Sequence, residues 1–321
     1  GILGVLIGIA VVEAIVESKH PFNHNLSVLA FCDEEGVRFN TTFLGSAYLS
    51  GQFEEEWLLK EDEYGKTLGE WLVDRAESID MIVNAYKTPY IRPQDVFLES
   101  HIEQGPILEE SNHALGVFTK IAAQLRSEII LTGCAGHAGT IPASLRNDPL
   151  PVASEMILAV NQMCNSDELI RSTVGHLEVI PNASNVIPGT VKFSIDMRYP
   201  DLKGLRRVHN ELSQEIKSIA KRSDLKFEYK LVHEASDAQL DQRLTDILAE
   251  SCEVIQGSSP RMFSGAGHDS MKLAQVCPAS MLAVRCKDGL SHHPDEFASN
   301  ADCILAFKAM LRAVLRIDKI F

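Results

Sequence analysis

A chain of 321 residues is long enough for one large domain or two ordinary ones, and 45% apolar with 23% charged residues is a globular balance. Forty-four acidic against 30 basic residues give a formal net charge of -14, and no Lys/Arg cluster is present, which excludes nucleic acid as the partner. The seven cysteines are scattered and form no C-x-x-C pair. They read as reduced, buried thiols and not as a disulfide framework or a metal set.

In chain order, the apolar opening Gly1 to Val12 ends at Glu13, too short to cross a bilayer, and lacks a basic region or cleavage site. It predicts a buried helix over 3–18 and, with no initiator Met, a true start further upstream. Leu26 to Cys32 reads as a short buried strand. Helical pieces follow near 42–50 and 68–84. Val96 to Gly105 begins as a strand and runs into a helix start. Residues 115–123 and 125–132 read as adjacent strands, 148–163 as a helix and 175–180 as a strand. Over 191–198, Val191, Phe193, Ile195 and Met197 alternate with Lys192, Ser194, Asp196 and Arg198, a half-buried strand. A helix over 202–221 and a strand over 225–232 complete a β-β-α-β-β-α-β run, an α+β sandwich with one open sheet face. Helices over 242–255 and 300–317 and a strand over 280–285 close the chain. The expected organisation is α/β: a discontinuous open-sheet domain, residues 1–117 and 236–321, with a smaller α+β domain inserted at 118–235.

Five clusters could carry chemistry. Asp33-Glu34-Glu35-Gly36 places two acids at the carboxyl end of the expected strand, where ligands bind in open α/β sheets and where one acid can ligate a metal while the other moves protons. His101-Ile102-Glu103-Gln104-Gly105 offers a ligand beside an amide. Ser264-Gly265-Ala266-Gly267-His268-Asp269 is a small-residue turn before a helix start. Gly289 to Glu296 holds His292 and His293, of which at most one can face a given metal. Gly136-His137-Ala138-Gly139-Thr140 goes with Asn182, Asn185 and Arg198, the last a natural clamp for a carboxylate. Taken singly, four of these are better explained as a solvated acidic turn, a satisfied surface histidine, an ordinary loop and a strand-edge ion pair. For the His292 loop the two readings stand level.

Taken in order they resemble one family. FCDEEGVRFNTTFLGSAYLSG, FLESHIEQGPILEE, GHAGTIPASLRNDPL, NVIPGTVKFSIDMR, SGAGHDS and KDGLSHHPDEF are similar to successive motifs of the allantoate and N-carbamoyl-L-amino-acid amidohydrolases (hydantoinase/carbamoylase family), within the larger group of aminoacylase and carboxypeptidase-G-like two-metal hydrolases. The resemblance implies an exopeptidase-like catalytic domain with an inserted lid and dimerisation domain. It implies that Glu34 is the general base for the attacking water and that Glu35 and His292 ligate one divalent ion (Mn, Zn, Co or Ni) and His101 the other. It further implies that His137 stabilises the oxyanion across a dimer interface, that Gln104, Asn185 and Arg198 bind substrate with Arg198 on its carboxylate, and that His268 contacts substrate without ligating.

The family's upstream His and bridging Asp are not in this sequence, so weak metal binding, little activity and doubtful folding are expected of the chain as it stands. The expected substrate is a small ureido acid, allantoate first, then N-carbamoyl-amino acids, ureidoglycolate or β-ureidopropionate, in a cytoplasmic homodimer of purine catabolism that binds neither nucleic acid nor membrane. A dipeptidase or aminoacylase is the second class, disfavoured by HIEQG with Arg198. An inactive relative serving only dimerisation is the third.

Overall fold

A computed structural model gives the protein's structure at residues 1–19, 21–75, 80, 81, 84 and 87–320. The chain divides into two compact units, Gly1–Ile121 with Ala238–Phe321, and Ala122–Asp237.

In chain order the first unit opens with α1 (Ile2–Ser18), α2 (Leu44–Leu49) and α3 (Leu68–Val73), followed by β1 (Phe97–Ile102), α4 (Ile107–Glu110) and β2 (Leu115–Ile121). The second unit contains β3 (Ala123–Thr132), β4 (Gly136–His137), α5 (Pro149–Ser166), β5 (Arg171–Thr173), β6 (Leu177–Ile180), β7 (Val186–Ile187), β8 (Thr190–Tyr199), α6 (Leu202–Lys221) and β9 (Lys226–Ala235). The chain then returns to the first unit with β10 (Ala238–Gln239), α7 (Gln242–Gln256), β11 (Arg261–Ser264), α8 (Ser270–Leu273), β12 (Ala279–Val284) and α9 (Asn300–Ile317).

The sheet of the first unit pairs β1 with β12 in parallel, β12 with β2 antiparallel, and β11 and β10 with β2. Every residue of β12 is buried, as a strand covered on both faces requires. Helices α1, α7 and α9 pack through Ile7, Val11, Ile15, Leu248, Ala306 and Ala309 against Leu115, Val117, Leu282 and Val284. Contact of α1 with the sheet is close: a Cβ on Gly4 would stand 2.5 Å from the Ser100 carbonyl oxygen. Only this stripe of α1 is buried, whereas Ile2, Leu6, Ile9 and Val16 are exposed. The buried helix expected from composition is thus buried along one side, where the sheet covers it. Among the described residues no helix is long and apolar enough to cross a membrane.

The strand expected over Leu26 to Cys32 does not form. Its apolar side chains do pack, Leu29 and Phe31 against Ile91, Leu273 and Cys277. A strand, however, needs a neighbour to take its backbone groups, and apolar sequence alone cannot supply one. The helix expected over 68–84 is α3 as far as Val73; much of its remainder lies outside the described residues.

In the second unit, β5, β8, β3 and β9 form an antiparallel sheet, with β6 also on β8. Val191, Phe193, Ile195 and Met197 are buried to 1% exposure or less and pack with Leu125, Ile129 and Leu131 against α5 and α6. Lys192, Ser194, Asp196 and Arg198 occupy the opposite face of β8. Both helices begin at the acid that the sequence offers for it: Asp148 accepts from Leu150 N, and Asp201 from Gly204 N.

Candidate active site

Glu34 and Glu35 lie on a loop and not at a strand end. The loop closes on the start of α2 through Phe43 N to Glu34 O (2.9 Å), Leu44 N to Asp33 O and Gly45 N to Cys32 O. Asp33 and Phe43 adopt left-handed backbone (φ 50 and 61). Gly36 (φ 67) is required where it stands, since a Cβ there would meet the Thr41 carbonyl carbon at 2.9 Å. Burial pushes the Glu34 carboxyl up to about 8, and the nearby Asp269, Glu35 and Glu99 carboxylates add to the effect. Glu35 Oε1 is 2.9 Å from His292 Nε2.

His101 lies within β1, one residue before its end, opposite Ala283. Its Nδ1 is 2.9 Å from Ile102 O. A carbonyl can only accept, so Nδ1 carries the proton and the Nε2 lone pair is left for a ligand. Burial lowers the His101 pKa, while the Glu296 and Glu35 carboxylates act in the opposite sense. The His268 ring lies edge-on to that of His101, with centroids 4.7 Å apart. His268 is buried, its Nε2 2.7 Å from Ser264 Oγ, and desolvation holds it neutral, well below its ordinary pKa.

Gln104 takes a left-handed backbone (φ 58) and donates from Nε2 to Ser291 Oγ at 2.8 Å, tying the end of β1 to the residue before His292. Its buried Oε1 has no hydrogen-bond partner among the described residues. Gly289 (φ 62) sits so close to the chain that a Cβ would stand 2.7 Å from Gly105 C and Pro106 N. Asp288 N donates to Glu109 Oε2. The His292 loop is therefore fastened to residues 104–109 at three points.

Two acids to which the motifs assigned no role, Glu99 and Asp269, join this group. Glu99 Oε2 accepts from Ser270 N (3.1 Å) and Oγ (2.6 Å); burial pushes its carboxyl up to about 7 against those bonds, with Asp269 adding. Burial likewise raises Asp269 to about 6, although Ser46 donates to it. The available signal for Glu99 was its place two residues before His101 in the expected strand, which puts both side chains on one face.

The remaining candidates belong to the second unit. His137, in β4 opposite Val186 of β7, accepts from Gly139 N at Nδ1 (3.0 Å), so its proton resides on Nε2, which becomes a donor. Ala138 N donates to Asn185 O, which keeps His137 and Asn185 neighbours. Asn182, beside the cis Ile180–Pro181 bond, has φ 59. Arg198, on the open face of β8, donates from Nε to Asp196 Oδ1 at 2.9 Å.

As a metal site, the first unit offers the right donors in kind: His101 with its Nε2 lone pair, and the Glu35–His292 pair already at ligand-sharing distance. In number it offers less, since among the described residues no three His, Cys, Asp or Glu side chains gather in metal-holding geometry.

Residues 1–316 match Peptidase family M20/M25/M40. An N-carbamoyl-L-amino-acid amidohydrolase of Pseudomonas sp. (strain NS671) is 35% identical over 318 residues, covering 98% of this chain and 77% of that protein. An allantoate deiminase of Arabidopsis thaliana is 35% identical over 346 residues, covering 97% of this chain and 65% of that protein. The crystal structure of an amidase of the hydantoinase/carbamoylase family from Burkholderia multivorans superposes with a TM-score of 0.90 at 34% identity, covering 98% of this chain and 76% of that one. With the motifs in order along the chain and the fold shared, the chain belongs to peptidase family M20/M25/M40, in company with its hydantoinase/carbamoylase amidases.

Proposed function

We propose that the protein is a divalent-metal-dependent amidohydrolase that cleaves a ureido C–N bond of a small carboxylate, with allantoate as the first substrate class and release of ammonia and carbon dioxide. The observation that carries this reading is the grouping of Glu34, with a carboxyl raised to about 8, beside the Glu35–His292 pair at 2.9 Å. Relatives named for hydrolysis of allantoate and of N-carbamoyl-L-amino acids support it at equal identity, so decarbamoylation of N-carbamoyl-L-amino acids is the second reading.

A ureido carbonyl is a poor electrophile. A divalent ion at Glu35 and His292, with His101 the donor toward a second, would polarise that carbonyl and acidify the attacking water. Glu34 takes the proton from water and returns it to the leaving nitrogen, a task suited to a carboxyl that titrates close to the working pH. His268, buried and neutral, keeps a hydrogen-bonding ring beside His101 without adding a competing positive charge. In the second unit we assign the Nε2–H of His137 to the developing oxyanion, where a fixed donor accelerates the reaction because its charge partner forms only in the transition state. Asn185 and Arg198 are assigned to the substrate, Arg198 to its carboxylate. We also assign self-association to the second unit.

The test is ammonia release from allantoate and from N-carbamoyl-L-alanine in the presence of Mn²⁺. Release that disappears in Glu34→Gln supports both the reaction class and the base. Release from N-carbamoyl-L-alanine alone moves the substrate and keeps the chemistry. Silence with both, alongside cleavage of dipeptides, overturns the reading.

A further inference from the structure

Asp196 stands at the centre of the open face of the second unit's sheet. Along β8 it is two residues from Arg198, so both side chains leave the same face. Across the ladder it is the register partner of Arg126 on β3 and of Thr173 on β5. Its Oδ1 accepts from Arg198 Nε at 2.9 Å, and its Oδ2 accepts from Arg198 Nη2 at 3.3 Å, from Arg126 Nε at 3.0 Å and from Gln124 Nε2 at 2.6 Å. One carboxylate thus collects donors from three side chains on two strands. Desolvation works against its charge, but the Arg198 and Arg126 guanidiniums hold its pKa below the ordinary aspartate value.

Such an arrangement does two things to Arg198. A guanidinium bonded through Nε and Nη2 to a single carboxylate is fixed in plane and direction, where a lone arginine on a sheet face would sample many rotamers. And with two guanidiniums on one carboxylate, the cluster keeps a net positive charge of one. That is the sign an anion receptor needs.

We propose that Asp196 is a positioning residue for substrate binding: it aims Arg198, with Arg126 braced on the same carboxylate, as a rigid receptor for the substrate's carboxylate group. This rests on the reading that Arg198 receives that carboxylate, and adds to it the residue that determines how well Arg198 discriminates a carboxylate from its neutral counterpart.

The test is calorimetric binding of two probes, N-carbamoyl-L-alanine and N-carbamoyl-L-alaninamide, in the presence of Mn²⁺ and with Glu34→Gln in every protein so that neither probe is turned over, to the otherwise unaltered protein and to Asp196→Asn, Asp196→Glu, Arg198→Ala and the double variant Asp196→Asn/Arg198→Ala. The unaltered protein is expected to prefer the carboxylate by at least about tenfold, the ratio that one well-formed charged hydrogen bond supplies. Arg198→Ala should abolish that preference. Asp196→Asn should narrow it severalfold while weakening the amide far less, Asp196→Glu should restore part of it, and the double variant should be no worse than Arg198→Ala. A merely structural loss would weaken both probes alike. If the unaltered protein shows no carboxylate preference, or Arg198→Ala keeps it, the reading of Arg198 falls. If Arg198→Ala loses the preference while Asp196→Asn, or Asp196→Glu should the former not fold, keeps it in full, the positioning role of Asp196 is overturned and that of Arg198 stands.

Discussion

His292 Nε2 stands 2.9 Å from Glu35 Oε1, joining side chains from loops at opposite ends of the chain, and both are well exposed. An exposed contact of this kind contributes little to stability, and the role proposed for the pair is to share a divalent ion. Replacing either residue by alanine should therefore leave the melting temperature within about a degree or two while lowering Mn²⁺ affinity by at least about tenfold, the scale on which even supporting residues act at metal sites. Calorimetric Mn²⁺ titration of the variants measures it, and an unchanged affinity contradicts the assignment of the pair.

Glu34→Gln removes the proton carrier and keeps the shape. Ammonia release should drop by about 10² to 10⁴, the usual yield of general acid–base catalysis, with the Mn²⁺ titration unaltered. A fall of less than about tenfold would transfer the proton-moving role to another group.

Gly289 is the point at which the His292 loop touches the chain at 105–106. Alanine there must hold φ near 62 and place its Cβ 2.7 Å from backbone atoms, so Gly289→Ala should destabilise by about 2 kcal/mol or more. Thermal unfolding would register it, and because the loop carries His292, Mn²⁺ affinity should fall with it. Retention of both would mean that the loop is not held by this contact.

Asp269 supplies a pH dependence with a definite sign. Its carboxyl titrates at about 6 in the fold, raised by burial above the ordinary 3.8. The folded state therefore holds the proton more tightly than the unfolded one. The associated stability is complete below about pH 4 and is lost as pH rises through 6. Asp269→Asn, which needs no proton, should gain on the parent between pH 4 and 7 by up to about 3 kcal/mol. Urea unfolding at both pH values tests this; a gap independent of pH, or one that shrinks as pH rises, refutes it.

In the second unit, Phe193→Ala should cost about 3–5 kcal/mol, since Phe193 is fully buried between the sheet and its helices. Leu177→Ala, about half exposed on β6, should cost less than about 1 kcal/mol. Denaturant midpoints of the two variants, measured side by side, decide between this core and one that lies elsewhere.

Where neighbours in sequence determine structure, the sequence was sufficient. The helix expected over 202–221 forms over those residues, its start capped by the neighbouring Asp201, and the faces of β8 follow from strict alternation over Val191 to Arg198. Glu34, Glu35, His101, Gln104, His268 and His292 were named from ordered motifs. What they do to one another was not legible. Leu26 to Cys32 has the composition of a strand, but no strand among the described residues pairs with it. Gln104, expected only to touch substrate, braces the His292 loop through a residue 187 positions away, and Glu99 finds Ser270 at a separation of 171. The raised carboxyls of Glu34, Glu99 and Asp269, and the gathering of Arg126, Gln124 and Arg198 on Asp196, arise the same way. Helix caps and periodicity act within a few residues, so the sequence determines them by itself. Desolvation and cross-chain hydrogen bonds depend on which distant segments exclude water from a given atom, and only the tertiary structure decides that.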